Sequence, residues 1–202
     1  MRCLVTGGNG FLGSHLVDIL LKKNHNVTIF DKKKFHKKNK KLKIIYGDLN
    51  NSKLLRRAVK NQDMIFHFGG MSGINESLKQ PLASAEINII STIKLLDLAT
   101  KFKIKRFIYA SSIYVNSEQG GFYKTSKKAT EDYIEEYKKR FNLNYTILRF
   151  GTIYGPRSGE LNSIYNILKQ ALKNKEVKID GNGEELREFI HVKDAVTTCL
   201  KI

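Results

Sequence analysis

Two apolar periods alternate along the chain. Runs of four to six mostly apolar residues, bounded by turn formers, read as buried strands; between them apolar residues recur three and four apart, which reads as helix. Arg2 to Thr6 (RCLVT) is the first strand, and Phe11 to Lys23 a helix with Phe11, Leu12, Leu16, Ile19 and Leu20 on its apolar side. Val27 to Phe30 and Lys43 to Tyr46 follow as strands, then a helix from Ser52 to Lys60 and a fourth strand, Met64 to Phe68 (MIFHF). Glu86 to Phe102 is a long amphipathic helix carrying Ile87, Ile90, Ile93, Leu95, Leu96 and Leu98 on one side. Lys105 to Ala110 (KRFIYA), a helix over Tyr123 to Phe141 and a strand over Asn144 to Arg149 (NYTILR) complete the alternation. Strand and helix in turn, joined by right-handed crossovers, predict a Rossmann-type α/β fold: a doubly wound parallel sheet with helices on both faces. Past Arg149 the rhythm changes to a loop (GTIYGPRSG), a helix from Leu161 to Lys173, a short strand from Val177 to Ile179, a turn at Gly181 to Gly183, and REFIHVKDA.

The first strand and helix are joined by Gly7, Gly10 and Gly13, spaced G-x-x-G-x-x-G. Side chains there would block the turn, the approach of backbone N–H groups to a pyrophosphate, and close packing of helix on strand. The phosphates would meet the positive end of the helix dipole. Asp31 ends the second strand, where a carboxylate accepts hydrogen bonds from an adenosine ribose and repels a 2′-phosphate. The motif therefore points to NAD, although Lys32 to Lys34 can offset the acid. Gly69 and Gly70, after the fourth strand, make a second turn against which a dinucleotide can lie. Asp48, in GDL at Gly47 to Leu49, reads either as a contact to the adenine amino group or as a helix cap. His67 reads as structural.

Tyr123 and Lys127 are four apart at the start of a helix, so their side chains lie on one face. A phenol titrates near 10; a neighbouring ammonium and a cationic nicotinamide ring are expected to lower it, making Tyr123 a base for a substrate hydroxyl. Ser112, after the fifth strand, is placed to hydrogen-bond the same oxygen. Spacing alone equally describes a packed Tyr beside a solvated Lys. The combination with the glycine turn, Asp31 and serines at a strand end favours chemistry.

Composition adds a strong positive charge: 36 Lys and Arg against 19 Asp and Glu, formally +17. The charge is densest in KKKFHKKNKKLK, Lys32 to Lys43, where a loop should join two strands. The run has no arginine and a single aromatic, Phe35. A solvated loop fits it better than a nucleic-acid surface. Cys3 and Cys199 stand alone, without C-x-x-C spacing or a His cluster, and read as core residues with no metal. No apolar run reaches membrane-span length and no leader precedes the first strand. The expectation is a soluble, cytoplasmic protein without a membrane partner.

In order, VTGGNGFLGSHL, Asp31, GDL, HFGG, Asn88 with Ser91 and Thr92, YASS, YKTSK, LRFGTIYGPR and REFIHVKDA resemble the nucleotide-sugar epimerase/dehydratase family of the extended short-chain dehydrogenases/reductases. The resemblance runs from residue 2 to about 196. It implies that Gly7, Gly10, Phe11, Leu12, Gly13, Asp31, Asp48, Leu49, Phe68, Gly69, Gly70, Asn88, Tyr123 and Lys127 contact NAD. It implies that Ser112, Tyr123 and Lys127 are catalytic, and that Arg187 grips the diphosphate of a nucleotide-sugar, against a plain reading as an ion pair with Glu184 or Glu188. Residues 1–150 would be the NAD-binding domain and 151–202 part of a substrate-binding region. A homodimer through helices 86–102 and 123–141 is implied as well.

The chain departs from that family in four places. Asn116 and Ser117 replace a usual Tyr-Gly, and only ten residues separate Ser112 from Tyr123. Thr152, expected at the substrate, stands where many relatives carry asparagine. The family continues for roughly another hundred residues, so the resemblance implies C-terminal truncation. Dehydratase relatives carry an Asp-Glu pair just after the catalytic Ser/Thr position, where this chain has Ile113 and Tyr114. The expected activity is therefore 4-epimerisation of a nucleotide-linked hexose, of the UDP-glucose 4-epimerase kind. The alternatives are dehydration, decarboxylation or reduction by the same oxidation step, or a non-catalytic NAD-binding remnant.

Overall fold

Six strands, β1 (Arg2–Thr6), β2 (Asn26–Asp31), β3 (Leu42–Tyr46), β4 (Met64–His67), β5 (Arg106–Ser112) and β6 (Tyr145–Phe150), form one parallel sheet in the order β3-β2-β1-β4-β5-β6. The computed structural model describes residues 1–33, 38–160, 162–178, 182–184 and 186–202. Lys34, Phe35, Leu161, Ile179 and Gly181, which the sequence reading used, lie outside them. The four inner strands β1, β2, β4 and β5 bury both faces, as a parallel sheet covered by helices requires, while the edge strands β3 and β6 are only partly buried. Successive residues of β1 divide accordingly: Leu4 packs with Leu55, Leu95, Leu96 and Ile134 on one side. Cys3 and Val5 pack with Leu16, Val17 and Leu20 on the other. Helices α2 (Ser52–Val59), α5 (Ser91–Lys101) and α6 (Gly121–Phe141) cover the first face, and α1 (Phe11–Lys22) and α8 (Val192–Cys199) the second. The doubly wound fold is as expected, and among the described residues no helix is long and apolar enough to cross a membrane.

The departures lie where local signals are short. Helix α3 (Ile74–Lys79) lies between Gly70 and Glu86, a stretch to which the apolar pattern assigns no element. The long helix begins earlier, at α4 (Pro81–Ala85), and passes through a π turn (Glu86–Ile90) into α5. Inside the expected loop after residue 150, β7 (Thr152–Tyr154) pairs in parallel with β8 (Phe189–His191), Thr152 opposite Phe189. Helix α7 (Ser163–Asn174) lies between them. Val177 and Lys178, expected in a strand, are irregular, and the Lys178 N–H donates to Gln170 Oε1. After β8 the chain returns to the sheet: Val196 and Cys199 of α8 join the core beside α1. The loop at Pro156 and Arg157 is tied to α1 by His15 Nε2 on the Pro156 carbonyl (2.8 Å) and by Arg157 on Asp18 (2.6 Å).

His67, at the end of β4, is structural as expected. Its Nδ1 pairs with Thr6 Oγ1 (2.7 Å) and its Nε2 with Thr92 Oγ1 (2.8 Å), linking β1, β4 and α5. Burial, with the Lys127 charge adding to it, holds this imidazole down to about 3. The unfolded chain binds a proton at this group below its ordinary value near 6.5 while the folded chain does not, so acidification costs stability. Asp63, lowered to about 2 chiefly by its hydrogen bond from Arg2, contributes only below about 4. Urea unfolding should therefore show a loss of about 2–3 kcal/mol from His67 between pH 6.5 and 4.5. In His67→Gln the loss should shrink by more than half, while the smaller effect of His25 stays common to both proteins. Equal slopes for the two proteins would contradict this account.

Candidate active site

The sequence-predicted residues gather at the carboxyl ends of the strands, around the point between β1 and β4 where the strand order reverses. In open α/β sheets that crevice is where ligands bind. Its floor is the crossing of two turns. Gly7 has φ +67°, and a Cβ on it would lie 2.7 Å from the Gly69 nitrogen. A Cβ on Gly13 would run into the Gly7 carbonyl oxygen, so α1 reaches the turn only with glycine there. Gly10 caps α1 without a side-chain acceptor. The N–H groups of the first helical turn, those of Phe11 and Leu12 included, therefore keep their donors for an anion. The side chain of Leu12 packs against the core instead, as does that of Phe68. Thr6 Oγ1 also accepts from the Gly69 N–H (3.1 Å), fixing the second turn on the first.

Asp31 stands beside this turn, one carboxylate oxygen accepting from the Asn9 N–H and the other from the Lys33 N–H, both 2.9 Å. Asn9 and Thr6 were not singled out from sequence, although a polar residue inside the loop and a hydroxyl just before it are the available signals. Asp48 is exposed at the end of β3, and its Oδ1 accepts from the Asn50 N–H (2.9 Å). The helix cap that Asp48 might have supplied belongs to Asn51, whose side chain accepts from the Leu54 N–H. The cap reading of Asp48 is thus corrected. Leu49 packs on the core, against the second turn at Gly69. Asn88 lies in the π turn, a feature often found at functional sites. Its buried amide accepts from the Met71 N–H (2.8 Å) and donates to the Met71 carbonyl and to Ser126 Oγ (2.9 Å). It clasps the second turn, at Gly70 and Met71, to α6.

The chemistry-bearing trio comes from two neighbouring elements. Ser112 ends β5, and its hydroxyl accepts from the Tyr114 N–H while capping a tight turn over Ile113–Asn116. Asn116 and Ser117 form no disordering break: Lys124 Nζ donates to the Ser117 carbonyl (2.9 Å). Tyr123 and Lys127 follow on the first two turns of α6. Lys127 is 8% exposed; its Nζ donates to the Ala110 carbonyl (2.8 Å) and lies 4.6 Å from the Tyr109 ring centroid and 5.9 Å from that of Tyr123. Burial lowers this ammonium to about 8, against a lift from Glu131. Within the protein itself burial raises the Tyr123 phenol above its usual value, and Ser112 only partly offsets that. Desolvation of the phenolate outweighs the distant ammonium within the protein itself.

Thr152 lies in β7, with its N–H on the Glu188 carbonyl (2.8 Å). Arg187, just ahead of β8, is exposed, and among the described residues it makes no ion pair with Glu184 or Glu188. Among the described residues no hydrogen bond, ion pair or ring contact joins either of them to Ser112, Tyr123 or Lys127.

Over residues 3–202 the sequence matches the model of the NAD dependent epimerase/dehydratase family. The chain belongs to this family. A putative UDP-glucose 4-epimerase of Methanocaldococcus jannaschii is 30% identical, the match covering 95% of this chain and 70% of that protein. A dTDP-D-glucose 4,6-dehydratase of Dictyostelium discoideum is 28% identical, with 97% and 54% covered. The chain thus spans between about half and 70% of the length of these relatives. Among solved structures, the Thermotoga maritima UDP-glucose 4-epimerase with UDP-glucose superposes with a TM-score of 0.90 at 29% identity, over 99% of this chain and 72% of that one. The Bacillus cereus UDP-glucuronic acid 4-epimerase, in complex with UDP-glucuronic acid and NAD, gives 0.90 at 27%, with the same coverage.

NAD is the cofactor of the epimerase/dehydratase family, and the side-chain-free floor at Gly7, Gly13 and Gly69, the open helix N-terminus and the held Asp31 carboxylate fit it. Gly7→Ala combines a disfavoured φ with a backbone collision. It should weaken NAD binding at least about tenfold and cost about 2 kcal/mol of stability. Titration calorimetry with NAD and urea unfolding test this; affinity within twofold of the unaltered chain would contradict it.

Proposed function

We propose that the chain is an NAD-dependent 4-epimerase of a nucleotide-linked hexose. The observation that carries this reading is the convergence of Ser112, Tyr123 and Lys127 at the switch-point crevice, with Ile113 and Tyr114 instead of a carboxylate pair directly after Ser112. NAD, when bound, supplies a reversible hydride acceptor and a cationic ring. Tyr123 takes the proton of the sugar hydroxyl and later returns it to the carbonyl oxygen. Three positive influences assist the phenolate: the added charge at the site, the Lys127 ammonium on the next turn, and the N-terminus of α6, where Tyr123 is the third residue. The Ser112 hydroxyl, at the end of β5, holds the reacting oxygen through both proton transfers. Directly after Ser112 no carboxylate pair stands ready to expel water from a neighbouring carbon, which disfavours dehydration.

The nucleotide diphosphate would lie beside the cofactor, under the segment that contains Thr152 and Arg187. Arg187 is free to offer two parallel N–H donors to phosphate oxygens. The relatives' names, a UDP-glucose 4-epimerase and a UDP-glucuronic acid 4-epimerase among them, support this substrate class. A homodimer fits the exposed Leu82 and Ile90 of one helix and Tyr133 and Phe141 of the other, large apolar groups on the two helices that the family resemblance pairs.

Incubation with NAD and a panel of UDP-, GDP- and dTDP-hexoses, followed by proton NMR, should yield a C4 epimer from one of them. In Tyr123→Phe the rate should fall by about 10²–10⁴, the usual worth of a positioned acid–base group. A 4-keto-6-deoxy product would replace epimerisation with dehydration. NAD binding without turnover of any sugar would favour the non-catalytic remnant.

A further inference from the structure

Four residues beyond Lys127 on α6, Glu131 has a side chain with no exposure at all. Its carboxylate is gripped by Arg149 near the end of β6: Nε lies 3.1 and 3.2 Å from the two oxygens and Nη2 2.7 Å from one of them. Arg149 stands opposite Ser111 in the β5–β6 register, one residue from Ser112. The ion pair therefore joins the helix that carries Tyr123 and Lys127 to the strand beside the one that carries Ser112. On the other side of Lys127, its Nζ is bound to the Ala110 carbonyl of β5. Stability is a weak reason to bury such a pair, because apolar residues of equal volume commonly serve as well or better. Its place one helical turn from the reactive lysine is a better one.

We propose that Glu131, held by Arg149, is a positioning residue that keeps α6 at the height of Ser112 and sets a buried counter-charge one helical turn from Lys127. This rests on the epimerase reading for its catalytic consequence but not for its electrostatic one. The groups around Lys127 are Tyr123 and Glu131 on its own helix, Tyr109 on β5, His67 on β4 and, behind Glu131, Arg149 on β6. Glu131 is the carboxylate among them. His67 is held neutral at ordinary pH, and Tyr109 is pushed up by burial, so neither supplies negative charge. Burial works against the Lys127 charge, and Glu131 works for it.

The experiment is an NMR titration of the chain carrying ¹³Cε-labelled lysine, with the Lys127 signal assigned by its loss in Lys127→Met. Lys127 should titrate near 8 in the unaltered chain. In Glu131→Gln, which keeps the shape and loses the charge, it should titrate lower by about half a unit or more. If Glu131→Gln does not fold, the paired Glu131→Met with Arg149→Met removes both charges together, a replacement that buried pairs tolerate. A smaller downward shift is expected there, because the more distant, partly exposed Arg149 charge is lost as well. An unchanged Lys127 titration in either folded variant would overturn the proposal and leave a structural staple. In active protein, Glu131→Gln should lower kcat about tenfold with KM nearly constant. The titration needs no turnover, so a shift in a chain that epimerises no sugar would refute the epimerase reading while sustaining the Glu131 inference.

Discussion

The site depends on one close approach, that of the backbone after β1 to the backbone after β4. Gly7, in a left-handed conformation, faces Gly69 at a separation that leaves no room for a Cβ. Thr6, one residue before Gly7, and His67, two before Gly69, are joined by a hydrogen bond, and Thr6 also holds the Gly69 amide. The crossing lies where the sheet changes direction of growth, so the strands on either side diverge from it and open a crevice. With side chains excluded, the floor of that crevice is peptide backbone and a helix N-terminus, surfaces that suit a pyrophosphate.

From this floor the arrangement of the reactive groups follows by short steps. Thr92 accepts the far side of His67, which fastens α5 to β4, and the Asn88 amide in the adjoining π turn grips both Met71 and Ser126 of α6. Thr130, one turn further on, donates to the Asn88 carbonyl. Helix α6 is thereby held from the side of the second turn by Asn88 and from the β6 side by Arg149 on Glu131. Lys127 and Tyr123 lie between these two attachments, next to Ser112.

Much of this was legible in the sequence because strong local signals agreed with one another. The six strands, the glycine turn, Asp31 at the end of β2, and the Y-x-x-x-K pair after a strand-end serine each depend on spacing that the chain displays directly. What was not legible depended on partners distant in sequence. The β7–β8 pair joins segments more than thirty residues apart, each of only three residues, and neither has an apolar pattern of its own. Asp48 carries a cap-forming side chain, but which of two neighbouring residues caps α2 is decided by the turn that precedes it, and Asn51 takes the role. Glu131 and Arg149 looked like ordinary charges until the fold buried one against the other. The desolvation that raises the Tyr123 phenol within the protein itself is set by burial depth and not by spacing.

The central claim is that the configuration of a sugar carbon is inverted by removing and returning its own hydrogen while Tyr123 handles only the oxygen-bound proton. The most direct measurement uses whichever nucleotide-hexose the chain turns over, deuterated at C4, with product analysed by NMR and mass spectrometry in ordinary water. The account predicts an epimer that keeps its deuterium at C4. Epimer in which that deuterium has been replaced by solvent hydrogen would contradict it, because the C4 hydrogen would then have left as a proton.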